Sequence, residues 1–248
     1  MAGIIVELII SWILLWFICK KHLAILGFTP TKTRFLNLLF GFLTAAICCA
    51  VYYMSFTVFV NNGWTINKVF TGQKMAISSW WTFISVLYEE LIFRGALLYI
   101  AIQKFGTKVA CIISAISFGV YHWFSMEAFG NPVQMTFIFC MTGIWGFMFA
   151  MAFAKTKSLY LPIGLHFGWN LISTVVFSQG PLGNQLLIGN GGQKMGVILS
   201  LVVFLFQVFV VPIITYWYLK GHALKSSYLL TKNNKPLTSV LPIVGPEE

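Results

Sequence analysis

The chain of 248 residues is 58% hydrophobic and 9% charged, with sixteen Lys and Arg against six Glu and no Asp. Soluble domains carry about 25% charged residues, so this chain has too few polar side chains to cover a water-facing surface. Its net charge of +10 is spread in ones and twos between apolar runs, which excludes the continuous basic surface typical of nucleic-acid binding.

Apolar segments long enough to cross a bilayer as helices recur along the chain, since about 20 residues are needed for each crossing. Backbone groups in lipid must be paired within their own segment, which favours helices. We therefore predict an all-α, polytopic membrane helix bundle of about seven transmembrane helices, with eight as the alternative. The predicted spans are 2–19, 35–60, 76–103, 109–124, 133–154, 158–178 and 196–219. The third is long and the fourth short, so both are expected to deviate from simple vertical helices.

The basic residues between the spans predict the orientation of the chain. Twelve Lys and Arg fall in alternate connections, and three fall in the others. Because basic loops stay in the cytoplasm, we expect a multi-pass protein of the cell membrane with its N-terminus outside and its C-terminus cytoplasmic. The basic set is 20–34, 104–108, 155–157 and 220–248; the other set is 61–75, 125–132 and 179–195.

Glu89 and Glu90 stand side by side in the third span, although the whole chain has only six acidic residues. Glu90 and Arg94 are four residues apart and share a helix face, so they can form a neutralising pair. Glu89 then lacks a partner on its own helix, and burial beside a second carboxylate favours its taking up a proton, as a general base must. We interpret Glu90 and Arg94 as structural and Glu89 as catalytic. The alternative for all three is one interhelical polar network.

Two further spans carry histidines. His122 lies on the fourth span, four residues after Phe118, whose ring could cover one side of the imidazole. His166 and Asn170 lie four apart on the sixth span and so point the same way into the bundle. Taken singly, each is equally well explained by hydrogen bonding or packing between helices, and Gly164 and Gly168 would permit a close helix approach there.

The depth of these groups in the membrane favours one shared site. At a rise of ~1.5 Å per residue, Glu89 lies roughly 22 Å from the lysine that ends its span, His122 roughly 21 Å and Asn170 roughly 20 Å. His166 lies roughly 14 Å from the corresponding lysine. Four polar side chains from three helices therefore fall within about two turns of one level.

Three motifs carry a family resemblance: Glu89-Glu90-x-x-x-Arg94, Phe118-x-x-x-His122 and His166-x-x-x-Asn170, in this order on successive apolar segments. Together they resemble the CPBP family of CAAX-processing and bacteriocin-processing intramembrane proteases, also called the Abi family. The matching stretch covers 82 residues, from the first glutamate to the asparagine. The candidate site residues are Glu89, Glu90, Arg94, His122, His166 and Asn170.

The resemblance implies hydrolysis of a peptide bond within the membrane. It assigns Glu89 and His122 to the activation of water, and His166 and Asn170 to stabilising the oxyanion or to helping bind a metal. Two imidazoles and a carboxylate form an acceptable zinc set, so a metal at His122 and His166 stays open. The H-E-x-x-H motif of ordinary zinc proteases is absent, and a metal-free mechanism is equally compatible.

The expected partners are a peptide or membrane-protein substrate and the lipid bilayer, with no nucleic acid and with the oligomeric state left open. An alternative function is that of a non-enzymatic membrane partner, such as a bacteriocin-immunity or sensor-modulating protein. The chain is divided into N-terminal transmembrane helices (1–75), a catalytic core of the CPBP type (76–178), a last transmembrane helix (179–220) and a mobile cytoplasmic tail (221–248).

Overall fold

Helices make up nearly all of the regular structure. The computed structural model describes residues 2–178, 183 and 185–233, with side chains through residue 221. The prediction of an all-α membrane bundle is confirmed. The elements are α1 (Ala2–Leu14), α2 (Lys32–Val60), β1 (Trp64–Ile66), α3 (Gly72–Arg94), α4 (Ala96–Ser125), α5 (Pro132–Thr156), α6 (Tyr160–Leu171), β2 (Leu187–Gly189) and α7 (Val197–Asn233). Short π-helical turns extend α1 over Leu15–Cys19 and α6 over Ile172–Phe177, and a 3-10 turn spans Leu23–Leu26.

Polar side chains mark where three of the helices begin. Thr31 Oγ1 accepts a hydrogen bond from the backbone N–H of Arg34, and Thr71 caps α3 in the same way. Asn131 caps α5, whose first residue is Pro132. These residues satisfy backbone donors that no helical carbonyl can reach, and they start each helix at a defined residue.

Apolar side chains cover the outside of the bundle, whereas one charged pair is completely buried inside it. Phe17, Val58 and Val197 are 70%, 74% and 86% exposed, but Glu90 and Arg94 are completely buried. A water-soluble protein shows the opposite distribution. The outward apolar surface is therefore one that lipid chains would cover.

Six helical stretches of the described residues are long and apolar enough to cross a membrane, judged by length and composition. The sequence predicts seven spans, with eight as the alternative, and that count is not confirmed. The longest stretch, Gly72–Ser125, contains both the third and the fourth predicted spans.

A break at Gly95 corrects the predicted third span, 76–103, which is not one helix. α3 ends at Arg94 and α4 begins at Ala96, because Gly95 has a ψ of −134°, far from helical values. Hydropathy indicates which segments are apolar enough to lie in the membrane, and it does not reveal such a change of backbone angle. The break places both glutamates and the arginine in the last turns of α3.

Gly106 reverses the direction of the chain inside α4. Its φ of 77° and ψ of 163° belong to a backbone conformation that side-chain-bearing residues avoid. The second half of α4 then returns along α3: Ser114 Oγ donates to the Phe93 carbonyl at 2.9 Å, and the Phe93 and Phe118 rings lie 5.1 Å apart. This return carries His122 back to the level of the two glutamates.

α2 and α6 pack backbone against backbone. A Cβ on Gly164 would lie 2.3 Å from the Leu38 carbonyl oxygen, and one on Gly168 would lie 2.3 Å from that of Phe42. Both positions therefore need glycine for the close approach that the sequence predicts. α6 is thereby held in a fixed position, with His166 between its two glycines.

Two short strands join the connections at one end of the bundle, where the sequence analysis places no strand. β1 and β2 pair antiparallel, with Trp64 opposite Gly189. The indole ring of Trp64 packs against Phe177, which stacks on Tyr53. Three-residue strands are too short to leave an alternating pattern that composition can reveal.

The predicted tail begins at residue 221, but the backbone of α7 continues as a helix to Asn233. The rest of the predicted tail, 234–248, lies outside the described residues.

Candidate active site

Glu90 joins α3 to α6 through two polar contacts. Its Oε1 accepts from Arg94 Nη1 at 3.2 Å, which is the ion pair expected from their spacing. The same oxygen lies 2.8 Å from His166 Nδ1 on α6. Glu90 and Arg94 are fully buried, so the carboxylate both neutralises the arginine and holds the imidazole. The spacing of the sequence favours the pair with Arg94, whereas the contact with His166 is interhelical, as in the polar network given as the alternative.

Glu89 faces the two histidines. Its Oε2 lies 4.0 Å from His122 Nε2 and 3.8 Å from His166 Nε2. That oxygen is buried and has no hydrogen-bond partner among the described residues. The expected lack of a partner on its own helix is observed, and the predicted agreement in depth brings Glu89, His122 and His166 together.

Both imidazoles turn the same nitrogen toward Glu89. His122 Nδ1 lies 2.8 Å from the Phe118 carbonyl oxygen, which can only accept, so Nδ1 carries the proton. His166 Nδ1 likewise donates to the Glu90 carboxylate. In the neutral form each ring therefore directs the lone pair of Nε2 at Oε2 of Glu89.

Aromatic rings enclose these charged groups. Phe118 lies 4.4 Å from the His122 ring, as the spacing suggests, and 4.0 Å from the Arg94 guanidinium carbon. Phe149 stacks on His166 at 4.9 Å with an angle of 21° between the ring planes, and it also lies 4.9 Å from the guanidinium carbon. Such rings exclude water while attracting the cation through their faces.

Phe149 is the site residue that sequence reasoning missed. It lies in α5, which contributes no ionisable group to the site, and it is only 1% exposed. One phenylalanine among many in an apolar helix gives no signal of a role. Only the packing of α5 against α6 shows that it covers His166.

Asn170 is the predicted site residue that the structure does not connect to the others. It lies one turn after His166 on α6 and is partly buried. Its side-chain amide makes no hydrogen bond to another described residue, whereas its backbone carbonyl accepts from Ser173 and Thr174. It thus shares the helix face of His166, with its amide available to another group.

One family model matches the segment of the chain that contains the candidate site. Residues 71–172 match the model described as "Type II CAAX prenyl endopeptidase Rce1-like". We call residues 71–172 the Rce1-like domain after this match. The resemblance to the CPBP family is thereby confirmed. The matched segment begins at Thr71, the cap of α3, and contains all six candidate residues. Neither a curated protein nor a solved structure matches the chain significantly.

The side chains of the Rce1-like domain bear on whether a metal could bind there. Two imidazole nitrogens and a carboxylate oxygen converge, which is the right chemistry for zinc. However, no group of three or more His, Cys, Asp or Glu side chains in the described part of the chain is placed so that it could hold a metal ion. The arrangement does not fit a preformed zinc site.

What the Rce1-like domain does offer is a pair of basic nitrogens and a carboxylate around one small space. The gaps of 3.8 Å and 4.0 Å are too long for direct hydrogen bonds and suit a bridging water. The same groups can take up, hold and return a proton.

Proposed function

We propose that the Rce1-like domain is an intramembrane endopeptidase that hydrolyses a peptide bond by Glu89/His122-activated water. The observation that carries the proposal is the convergence of both Nε2 atoms on Oε2 of Glu89. The family match supports endopeptidase activity, because its description names prenyl endopeptidases. The helices that hold these residues are apolar enough to cross a membrane.

Geometry favours a water molecule as the nucleophile. A water oxygen can lie about 2.8 Å from each of two atoms that are separated by 4 Å. Placed between His122 Nε2 and Glu89 Oε2, it would donate both its hydrogens to acceptors. The lone pairs of the water oxygen then point away from these two acceptor atoms and toward an incoming carbonyl carbon.

The two histidines have different Nδ1 partners, which suggests different roles. His122 donates from Nδ1 to a neutral backbone carbonyl. His166 donates from Nδ1 to the Glu90 carboxylate, which fixes the orientation of its ring. His122 therefore suits the orientation of water, and His166 suits donation from Nε2–H to a developing oxyanion.

The reaction conserves atoms and charge in two steps. Water attacks the peptide carbonyl carbon while its proton passes to Glu89, and the oxyanion formed accepts hydrogen bonds from His166 and the Asn170 amide. Glu89 then returns the proton to the leaving nitrogen, and the carbon–nitrogen bond breaks. The products are a new carboxylic acid and a new amine, and transfer of the acid proton to the amine gives a carboxylate and an ammonium group.

We propose a membrane-anchored peptide of the CAAX type as the substrate. The name of the matched family supports this class. The catalytic groups are buried among helices that meet lipid, so a substrate held in the bilayer by its own anchor reaches them without leaving it. A non-enzymatic membrane partner remains the alternative, and the same experiment separates the two.

The decisive experiment measures cleavage by the full chain reconstituted in nanodiscs. A prenylated CAAX-type peptide and the same peptide without the prenyl group serve as substrates, with products identified by mass spectrometry. We expect wild-type protein to cleave and Glu89→Gln to lose about 10³-fold or more in rate, because its amide cannot accept the proton.

The matched control is Glu127→Gln, which makes the same chemical change at an exposed position outside the site. It should cleave at the wild-type rate. Cleavage by Glu89→Gln at that rate would disprove the mechanism, and loss of activity on metal chelation would favour zinc instead. No cleavage by any variant, with membrane insertion intact, would favour the non-enzymatic alternative.

A further inference from the structure

An apolar groove of about 450 Å³ lies between α5 and α7, away from the candidate active site. Its walls are apolar and include Phe147, Met148 and Met151 of α5 and Leu219 of α7. Phe149, which stacks on His166, does not line it. The groove is therefore separate from the candidate active site.

Two lysines stand at one end of this groove. Lys155 lies in the last turn of α5, and Lys220 lies on α7 one residue before the end of its apolar segment. Both line the groove and both are exposed. This is where the apolar part of each helix meets the headgroup region of a bilayer.

No carboxylate among the described residues neutralises these lysines. No Asp or Glu occurs anywhere from 128 to 246, which includes all of α5, α6 and α7. Neither lysine has an ion pair among the described residues, and the Lys220 ammonium rests 5.0 Å from the centre of the Trp217 ring. The charge at the mouth of the groove is thus unbalanced.

A buried hydroxyl adds a second, independent polar feature. Thr215 lines the groove, is only 1% exposed, and its Oγ1 has no hydrogen-bond partner in the described part of the chain. An unpaired buried hydroxyl is costly, so it indicates a ligand that accepts its hydrogen bond. Thr215 lies five residues, about 7.5 Å along the helix, below Lys220.

We propose that this groove binds one anionic phospholipid. The phosphate lies between the ammonium groups of Lys155 and Lys220, Thr215 donates to an ester carbonyl oxygen, and an acyl chain fills the space beside Met148 and Met151. The three polar positions match the order of groups along a phospholipid, from phosphate through ester to chain.

A second copy of the chain suits the groove less well than a lipid. Glu247 and Glu248 lie outside the described residues. Of the other acids, Glu127 is nearest to α5 in the sequence, and it precedes the start of α5 whereas Lys155 lies at its end. A copy that packed here through α5, α6 or α7 would leave both lysines unneutralised, because these helices contain no acidic residue. A prenyl chain alone would fill the apolar part and leave the lysines and Thr215 without partners.

The test compares phosphatidylglycerol with phosphatidylcholine of identical acyl chains, titrated into the full protein in mild detergent. Native mass spectrometry reports the first bound lipid. A lysine near an anionic group contributes about fivefold in affinity, so we expect a preference of about 25-fold for phosphatidylglycerol. The double variant Lys155→Gln/Lys220→Gln should bind the two lipids nearly equally.

A matched double variant, Lys104→Gln/Lys108→Gln, removes the same charge beside Gly106 and should keep the full preference. Thr215→Val, which preserves shape, should weaken both lipids by a similar factor because both contain the ester. Equal binding of the two lipids by wild-type protein would overturn the proposal. An equal loss of preference in both double variants would also overturn it. A dimer that Met151→Trp abolishes would overturn it too, because a second copy would then occupy the groove.

Discussion

At the scale of single residues, the site consists of ionisable groups at a depth where each costs on the order of 2.5–3.5 kcal/mol to insert. Glu90 compensates this cost for two other groups, since it pairs with Arg94 and holds His166. Arg94 keeps Nε and Nη2 without hydrogen-bond partners in the described part of the chain and relies on aromatic faces instead. Glu90 is therefore both a structural and a positioning residue.

The two roles of Glu90 can be separated by a pair of variants. Glu90→Gln leaves the buried guanidinium uncompensated and should lower the free energy of unfolding by about 3–5 kcal/mol. Adding Arg94→Met removes that charge and should restore most of the stability. The double variant should still cleave at least about 100-fold more slowly, because His166 has lost its carboxylate.

Thermal unfolding in detergent and the cleavage rate, measured on the same preparations, check this prediction. A double variant that regains both stability and activity would show that Glu90 only neutralises Arg94. Separate values of kcat and KM add a readout that a purely structural role would not move, since loss of the contact between Glu90 and His166 should lower kcat more than it raises KM.

At the scale of elements, the position of the site depends on how closely α6 approaches α2. Gly164 and Gly168 flank His166 and lie against the carbonyl oxygens of Leu38 and Phe42. The polar groups of α6 are therefore held by backbone contact on the opposite face of the helix. We expect an added atom on that face to push α6 away from α2 and so to change the position of His166 relative to Glu90.

Gly164→Ala tests this dependence. The new Cβ would overlap the Leu38 carbonyl oxygen, so we expect a loss of about 1–3 kcal/mol in unfolding free energy. Cleavage should fall by about 100-fold, since a displacement of about 1 Å at a reacting group has an effect of that size. Gly196→Ala is the control, because nothing lies within 4 Å of its Cβ position. Equal effects of the two substitutions would contradict the proposed role of the contact.

At the scale of the whole molecule, the reversal at Gly106 and the distribution of basic residues together define how the chain crosses the bilayer. The second half of α4, from residue 107 to Ser125, is long enough to cross the apolar core, at about 28 Å. Its two ends must then face opposite sides. The basic connections predict that the Gly106 end is cytoplasmic.

Single-cysteine labelling of intact cells checks this orientation in a background without the five native cysteines. A membrane-impermeant maleimide should label Met126→Cys and should leave Lys104→Cys and Lys220→Cys unlabelled until the cells are opened. Labelling of Lys104→Cys from outside would reverse the predicted orientation. Labelling of both Lys104→Cys and Met126→Cys from outside would show that this half of α4 does not cross.

The sequence by itself determined the class of the fold and the pairing of Glu90 with Arg94, and it predicted a common depth for the candidate site residues. These follow from composition, from the rise of a helix and from side chains four residues apart, all of which are local quantities. The three-motif resemblance likewise depends on residues read in order along the chain.

Only the tertiary structure decided the rest, because it depends on contacts between distant segments and on single backbone angles. Hydropathy could not reveal the break at Gly95 or the strand pair at Trp64, since neither changes the apolar character of its surroundings. The bond from His166 to Glu90 and the cover provided by Phe149 join residues that are far apart in the chain. The low content of charged residues thus indicates a membrane protein, and packing determines which of those charges face one another.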